Sequence, residues 1–127
     1  MEAIDLRALK HARDAIAKGW TQGASARDVG GSIVGPHSKE AAAFCAMGAL
    51  THSLLTCRDE AGRAGDVFVV MAALRRHLPA YWRPARPLGD DDAERIIAFN
   101  DAGDRVQADV LDLFDRTIAD EEASDAV

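Results

Sequence analysis

The sequence is short of the features that most often announce a function. No apolar run approaches the ~20 residues of a membrane-spanning helix, so no membrane anchor is expected. The first residues, Met1-Glu2-Ala3-Ile4-Asp5, carry no basic stretch followed by an apolar block, so no secretory leader is expected. There are only two cysteines, Cys45 and Cys57. Their setting reads as one helix, where a twelve-residue separation places the Cα atoms ~18 Å apart, and a disulfide needs less than ~7 Å. Both are read as reduced thiols in a cytoplasmic protein. A basic excess is also missing. Fifteen Lys and Arg face 21 Asp and Glu, for a net charge of −6 at pH 7, which argues against a nucleic-acid partner.

Several chemistries lack their spacing. His37, Cys45, His52 and Cys57 form no short-spaced ligand pair and no His pair stands at i, i+4, so no metal is expected. Gly30, Gly31 and Gly35 are not followed by the Lys-Ser/Thr of a phosphate loop. The Gly-x-Ser-x-Gly turn of serine hydrolases is absent. No cofactor is expected.

What is present is an ordinary globular composition, 48% hydrophobic and 28% charged over 127 residues, enough for a single domain spanning 1–127. Ile4, Ala8, Leu9, Ala12 and Ile16 share one helical face over 3–18. Gly19 is expected to close that helix in the left-handed conformation, with Trp20 folded back on the last turn. Ala24-Ser25-Ala26-Arg27 and Ser32-Ile33-Val34 flank Asp28-Val29-Gly30-Gly31, the pattern of a small β-hairpin. Ser38 reads as the N-cap of a second helix from Lys39 to about Thr56, helped by Ala41, Ala42 and Ala43. There Cys45, Gly48, Ala49, His52 and Leu55 fall near one face, and the small residues are expected to meet another helix closely.

Asp66 caps a third helix that runs to about His77 and stops at Pro79. An irregular crossing over 79–89 follows, then a short helix over 92–100 with an acidic start at Asp90 to Asp92. Asp104-Arg105-Val106-Gln107 has the form of a capping box for a last helix to about Asp120, with Val106 inward and an acidic tail frayed from about 121. The expected fold is mainly α, a compact bundle of about five helices with a small β-hairpin or loop insertion after the first.

Charge is unevenly placed. Residues 101–127 carry nine acids and two bases, against 12 acids and 13 bases before them. Between Arg75 and Arg86 stand four arginines and no acid, with Tyr81 and Trp82 among them. This segment either receives an anion or pairs with the acidic C-terminal helix, and pairing is the commoner fate of such runs.

Three strings are unusual: Gly19-Trp20-Thr21-Gln22-Gly23-Ala24, Cys45-Ala46-Met47-Gly48-Ala49-Leu50 and Phe99-Asn100-Asp101-Ala102. Each sets small residues beside an aromatic, amide or thiol group, which a solvated surface rarely needs. The expectation is that they converge, that the segment from Gln22 to Asp28 packs on the helix of Cys45, and that Asn100 bonds to its backbone. The pattern is carried by Trp20, Gln22, Gly23, Ala24, Ala26, Arg27 and Asp28, by Cys45, Ala46, Gly48, Ala49 and Leu50, and by Asn100 and Asp101. It resembles a family of small uncharacterised proteins of bacteria and some of their phages, from Trp20 to Ile118. The chain departs from that pattern at Phe99, where Trp is expected, and at Val106, where Thr is expected and whose loss leaves Asp104 as the cap. The resemblance implies a fold and singles out residues, but no reaction.

Cys45 invites a cysteine-enzyme reading, because Gln22 precedes it and a His and an Asn follow, the chain order of a papain-like site. Two turns inside a helix it lacks the helix N-terminus that activates a thiol. His52, seven residues on, would stand ~10 Å away along the axis, beyond the ~3 Å reach of a base. A buried, packed cysteine is the commoner case. The expectation is therefore a small cytoplasmic binding or regulatory protein, not an enzyme, that takes a small molecule or protein partner at Trp20, Gln22, Arg27, Asp28, Cys45, Asn100 and Asp101. The alternative is a small Cys-dependent transferase or hydrolase using Cys45. Self-association into a homodimer stays open.

Overall fold

The computed structural model describes residues 1–83 and 91–125. Its five helices are α1 (Ala3–Lys18), α2 (Ala46–Thr56), α3 (Val67–Arg76), α4 (Asp92–Asp101) and α5 (Gln107–Asp125). Between α1 and α2 run three short strands, β1 (Ala26–Arg27), β2 (Ile33–Val34) and β3 (Ala43–Phe44), and a single 3-10 turn spans Ala80–Trp82. The fold is mainly α, as the sequence led one to expect.

The apolar face of α1 makes it the centre of the core. Ala8, Leu9, Ala12 and Ile16 are wholly buried, and α1 packs on both α2 and α5. Leu50 of α2, Leu74 of α3, Ile96 of α4 and Leu113 and Phe114 of α5 complete the same cluster. Each such side chain contributes about 1.5–3 kcal/mol of burial free energy. Asp66 caps α3 by accepting the Phe68 amide at 2.9 Å, and Asp91 caps α4 by accepting the Glu94 amide at 2.8 Å. No helix among the described residues is long and apolar enough to cross a membrane.

The strands depart from a simple hairpin. β1 lies in the middle, antiparallel to β2 on one side and to β3 on the other, in the order β2-β1-β3. The third strand comes from residues expected to be helical. Ser38 does receive a local bond, from the Glu40 amide at 3.1 Å, but it closes a turn and no helix follows. Ala42 donates to the Arg27 carbonyl at 2.8 Å and Phe44 to the Gly19 carbonyl at 3.0 Å. This pairing overrides the helix propensity of the alanines. The second helix therefore starts at Ala46 and not at Lys39.

Four further expectations are corrected. Gly19 is extended, with φ −173 and ψ 127. Its small size is needed because a Cβ there would run into the Ala42 carbonyl. Gly19 does close the last turn of α1 through its N–H to the Ala15 carbonyl at 3.2 Å, and the Gln107 amide donates to the Ile16 carbonyl at 2.8 Å. Asp104 does not cap α5. Val106 stands before its first turn, more than half exposed, and Asp109 reaches back to accept the Val106 amide at 3.1 Å. Only the reach-back half of a capping box is left.

The C-terminal segment does not fray at residue 121. Helix α5 continues to Asp125, with Glu121 buried and paired to Arg76 at 3.0 Å and His77 beside Asp120 at 3.2 Å. Arg75 pairs instead with Asp92 of α4 at 2.9 Å. Part of the basic segment thus serves the acidic last helix. Pro84, Arg86, Pro87, Gly89 and Asp90, on which the expected crossing and acidic start also rest, lie outside the described residues.

Candidate functional site

The three strings meet at Asn100. This residue ends α4 fully buried, and all four hydrogen-bonding positions of its amide are filled. Oδ1 accepts the Trp20 indole N–H at 2.9 Å and the Ala46 backbone N–H at 3.0 Å. Nδ2 donates to the Thr21 carbonyl at 3.1 Å and to Asp101 Oδ1 at 2.9 Å. Ala46 N–H is one of the orphan donors of the first turn of α2. Asn100 thus ties the start of α2, the chain after α1 and its own helix end into one knot.

Gln22 reinforces the knot from outside. Its Nε2 donates to the carbonyls of Asn100 and Ala102, each at 2.9 Å, where α4 runs out of its own donors. Asp101 Oδ1 also accepts the Gly23 amide at 3.1 Å. Arg105 closes the same helix end. Its Nε donates to the Phe99 carbonyl at 2.7 Å, and its guanidinium lies 3.9 Å from the Phe99 ring centre and 5.4 Å from that of Trp82.

Arg27 and Asp28 stand beside this knot. Arg27 donates to Thr21 Oγ1 at 2.9 Å, to the Gln22 carbonyl at 3.3 Å and to the Gly31 carbonyl at 3.1 Å, holding the hairpin against the chain after α1. Asp28 accepts the Gly30 and Ser32 amides at 3.0 and 2.9 Å and belongs to the hairpin turn.

The position of Cys45 corrects the sequence reading most. It is not two turns inside a helix but the N-cap of α2, with φ −78 and ψ 173, and its Sγ accepts the Gly48 N–H at 3.2 Å. Its own N–H donates to the Ser25 carbonyl at 3.1 Å. The small residue at 48 is required because a Cβ there would overlap the Ser25 carbonyl. Gly48 therefore meets the strand segment, not another helix. Leu55 is about half exposed, outside the buried face. Burial pushes the Cys45 thiol above its ordinary range, and the Asp101 carboxylate adds to the rise. The helix amides of Gly48 and Met47 pull the other way without reversing it. Cys45 and Cys57 are both free and buried.

Over this knot lies a cleft of about 220 Å³ lined by Gly23, Ala24, Ser25, Cys45, Met47, Ile97 and Asp101. Of the expected binding residues, only Cys45 and Asp101 reach it, joined by Gly23 and Ala24 of the first string. Trp20, Gln22 and Asn100 build its support, Arg27 braces that support, and Asp28 stands apart. Met47 and Ile97 were not foreseen. Ile97 carried a legible signal, since it precedes Asp101 by four positions in α4 and shares its face. Met47 carried none, because its side-chain direction at the start of α2 depends on where that helix begins.

No histidine lines the cleft among the described residues. His52 points elsewhere: its Nδ1 is 3.0 Å from the Pro36 carbonyl, and its ring packs on Phe44 and His11 at 4.9 and 5.6 Å between centres. No group of three or more His, Cys, Asp or Glu among the described residues is placed to hold a metal ion.

Comparison with curated proteins and with solved structures gives no match. One family model does match, over residues 3–120, so nearly the whole helical bundle and all three strings fall inside it. The chain belongs to the family of unknown function DUF6197.

Proposed function

We propose that the chain is a non-catalytic binding module whose recognition site is the cleft above Asn100. The reading rests on one observation: three separate segments are locked by a fully satisfied buried amide, and the lock supports a concave surface. A preorganised surface lowers the ordering cost of binding.

The cleft fits a small, partly apolar group that carries a positive charge or a hydrogen-bond donor. Met47 and Ile97 offer apolar contact, and the exposed Asp101 offers a carboxylate whose recorded bonds all go to Oδ1. A volume of about 220 Å³ suits a small amine or one side chain of a protein partner. The free thiols support a reducing, cytoplasmic setting. A Cys-dependent transferase or hydrolase fits less well, because the raised thiol pKa keeps Cys45 protonated at neutral pH and no histidine among the described residues lines its cleft.

The test is an NMR titration of the amide spectrum with benzylammonium, with benzoate as the opposite-charge control. Saturable shifts at Gly23, Met47, Ile97 and Asp101 with benzylammonium alone, lost in Asp101→Asn, are expected. Shifts equal for both probes, or absent from these residues, would overturn the assignment.

A further inference from the structure

The larger cavity of about 600 Å³ lies elsewhere, between α1, the loop before β3 and α2. Its polar lining runs against the charge of the molecule. The chain as a whole carries −6, yet Lys18, Lys39, His11, His37 and His52 all face this one space, with Asp14 as the single carboxylate. Ala15, Ala41, Ala42 and the edge of Phe44 supply an apolar wall. The volume is in the range of small-molecule sites, about 300–1,000 Å³.

Two of the histidines are held in place. His52 Nδ1 stands 3.0 Å from the Pro36 carbonyl. A carbonyl can only accept, so Nδ1 donates to it. His11 Nδ1 lies 2.8 Å from Ser53 Oγ, and Ser53 is wholly buried. The Phe44 ring keeps His52 in position. These are positioned groups, not two loose surface chains.

We infer that this cavity is a second, independent binding site, for a small organic anion whose charged group sits among Lys18, Lys39 and the histidines and whose apolar body lies on the alanine and Phe44 wall. With the histidines neutral, two lysines oppose one aspartate, which already favours an anion. Protonation of the histidines adds to it. Burial, then the neighbouring His52, and to a smaller extent Lys18 hold the pKa of His11 below its ordinary value, while Asp14 raises it. A bound anion opposes the repulsion from His52 and Lys18, so binding takes up a proton and strengthens as pH falls. The groups that set this response are His11, Asp14 and Lys18 on α1, His37 and Lys39 on the loop, and His52 on α2.

The test titrates the protein with benzoate and with inorganic phosphate, followed by the histidine ring signals, at about pH 6 and about pH 7.5, on either side of the histidine range. Expected are saturable shifts at His11, His37 and His52, benzoate tighter than phosphate at the lower pH, and weaker binding of benzoate, whose own charge is the same at both, at the higher pH. Lys18 and Lys39 are exposed, so Lys18→Ala/Lys39→Ala folds normally and weakens benzoate by about tenfold through lost charge-assisted contacts, whereas Lys10→Ala changes nothing. Shifts that never saturate, or that the double variant leaves as they were, would overturn the site. Equal affinity for the two anions would overturn the role of the apolar wall. Failure here leaves the cleft above Asn100 untouched, because the two sites share no residue.

Discussion

Replacing Asn100 tests the knot from two directions. Asn100→Leu keeps the approximate size of the side chain and removes all four bonds. Of the groups it leaves behind, Ala46 N–H is buried and the Trp20 indole N–H and the Thr21 carbonyl partly so, whereas Asp101 is exposed and can rehydrate. An unpaired buried group costs about 1–3 kcal/mol, so the buried one and the two partly buried ones, at about half weight each, give a loss of about 2–6 kcal/mol. That is a large part of the ~5–15 kcal/mol by which such a domain is stable. Asn100→Asp behaves differently. Its carboxyl can still accept from Trp20 and Ala46, but a buried charge beside Asp101 is strongly disfavoured. The folded pKa of the new group therefore rises above its unfolded value of ~3.9.

The direction of the pH response follows from linkage. A group whose pKa is raised on folding binds more protons in the folded state between the two pKa values, so stability falls as pH rises through that window. Urea melts followed by circular dichroism should show Asn100→Asp recovering relative to wild type as pH drops from neutrality. Asn100→Leu should show no such relative recovery. A Leu variant within ~0.5 kcal/mol of wild type, the range of a surface change, would refute the buried knot. So would an Asp variant with no pH dependence of its own.

The other expectations concern single groups. Gly48→Ala should destabilise by about 1–3 kcal/mol through overpacking on the Ser25 carbonyl, in thermal or urea melts, although alanine favours a helix by ~1 kcal/mol; a stabilised variant would remove the close approach. Cys45 should react with iodoacetamide far more slowly in the folded protein than a model thiol at neutral pH, since burial keeps it protonated, and mass-resolved labelling measures this directly. His11, whose pKa burial lowers from 6.5, binds fewer protons folded than unfolded, so stability should fall as pH drops below about 6.5. In His11→Gln that part of the slope should vanish.

The helices over 3–18 and from Asp66 were legible because a 3.6-residue apolar period and a local cap agree there. The start of α2 was not. Ala41, Ala42 and Ala43 favour a helix locally, and only pairing with β1, a contact across the chain, sets β3 extended. The helix propensity of these alanines thus put Cys45 inside a helix when it is the N-cap of α2, and it hid the strand contact of Gly48. The capping box at Asp104 failed for a related reason. The pattern of residue types was present, but the helix starts two positions later, with Asp109 reaching back. That Asn100 is a buried meeting point was legible, because an amide among small residues needs partners, but its amide bonds to Thr21 and Ala46 backbone and not to the backbone of Gln22 to Asp28. Which strings line a cleft and which only support it depends on side-chain direction, and spacing alone does not carry that.

The central claim is that Asn100 locks three segments into one buried knot, and hydrogen exchange tests it most directly. The Trp20 indole N–H and the Ala46 amide should exchange only on global unfolding, with opening free energies equal to the stability from urea melts. Exchange of either proton near the rate of an unprotected group would contradict the knot and the cleft built on it.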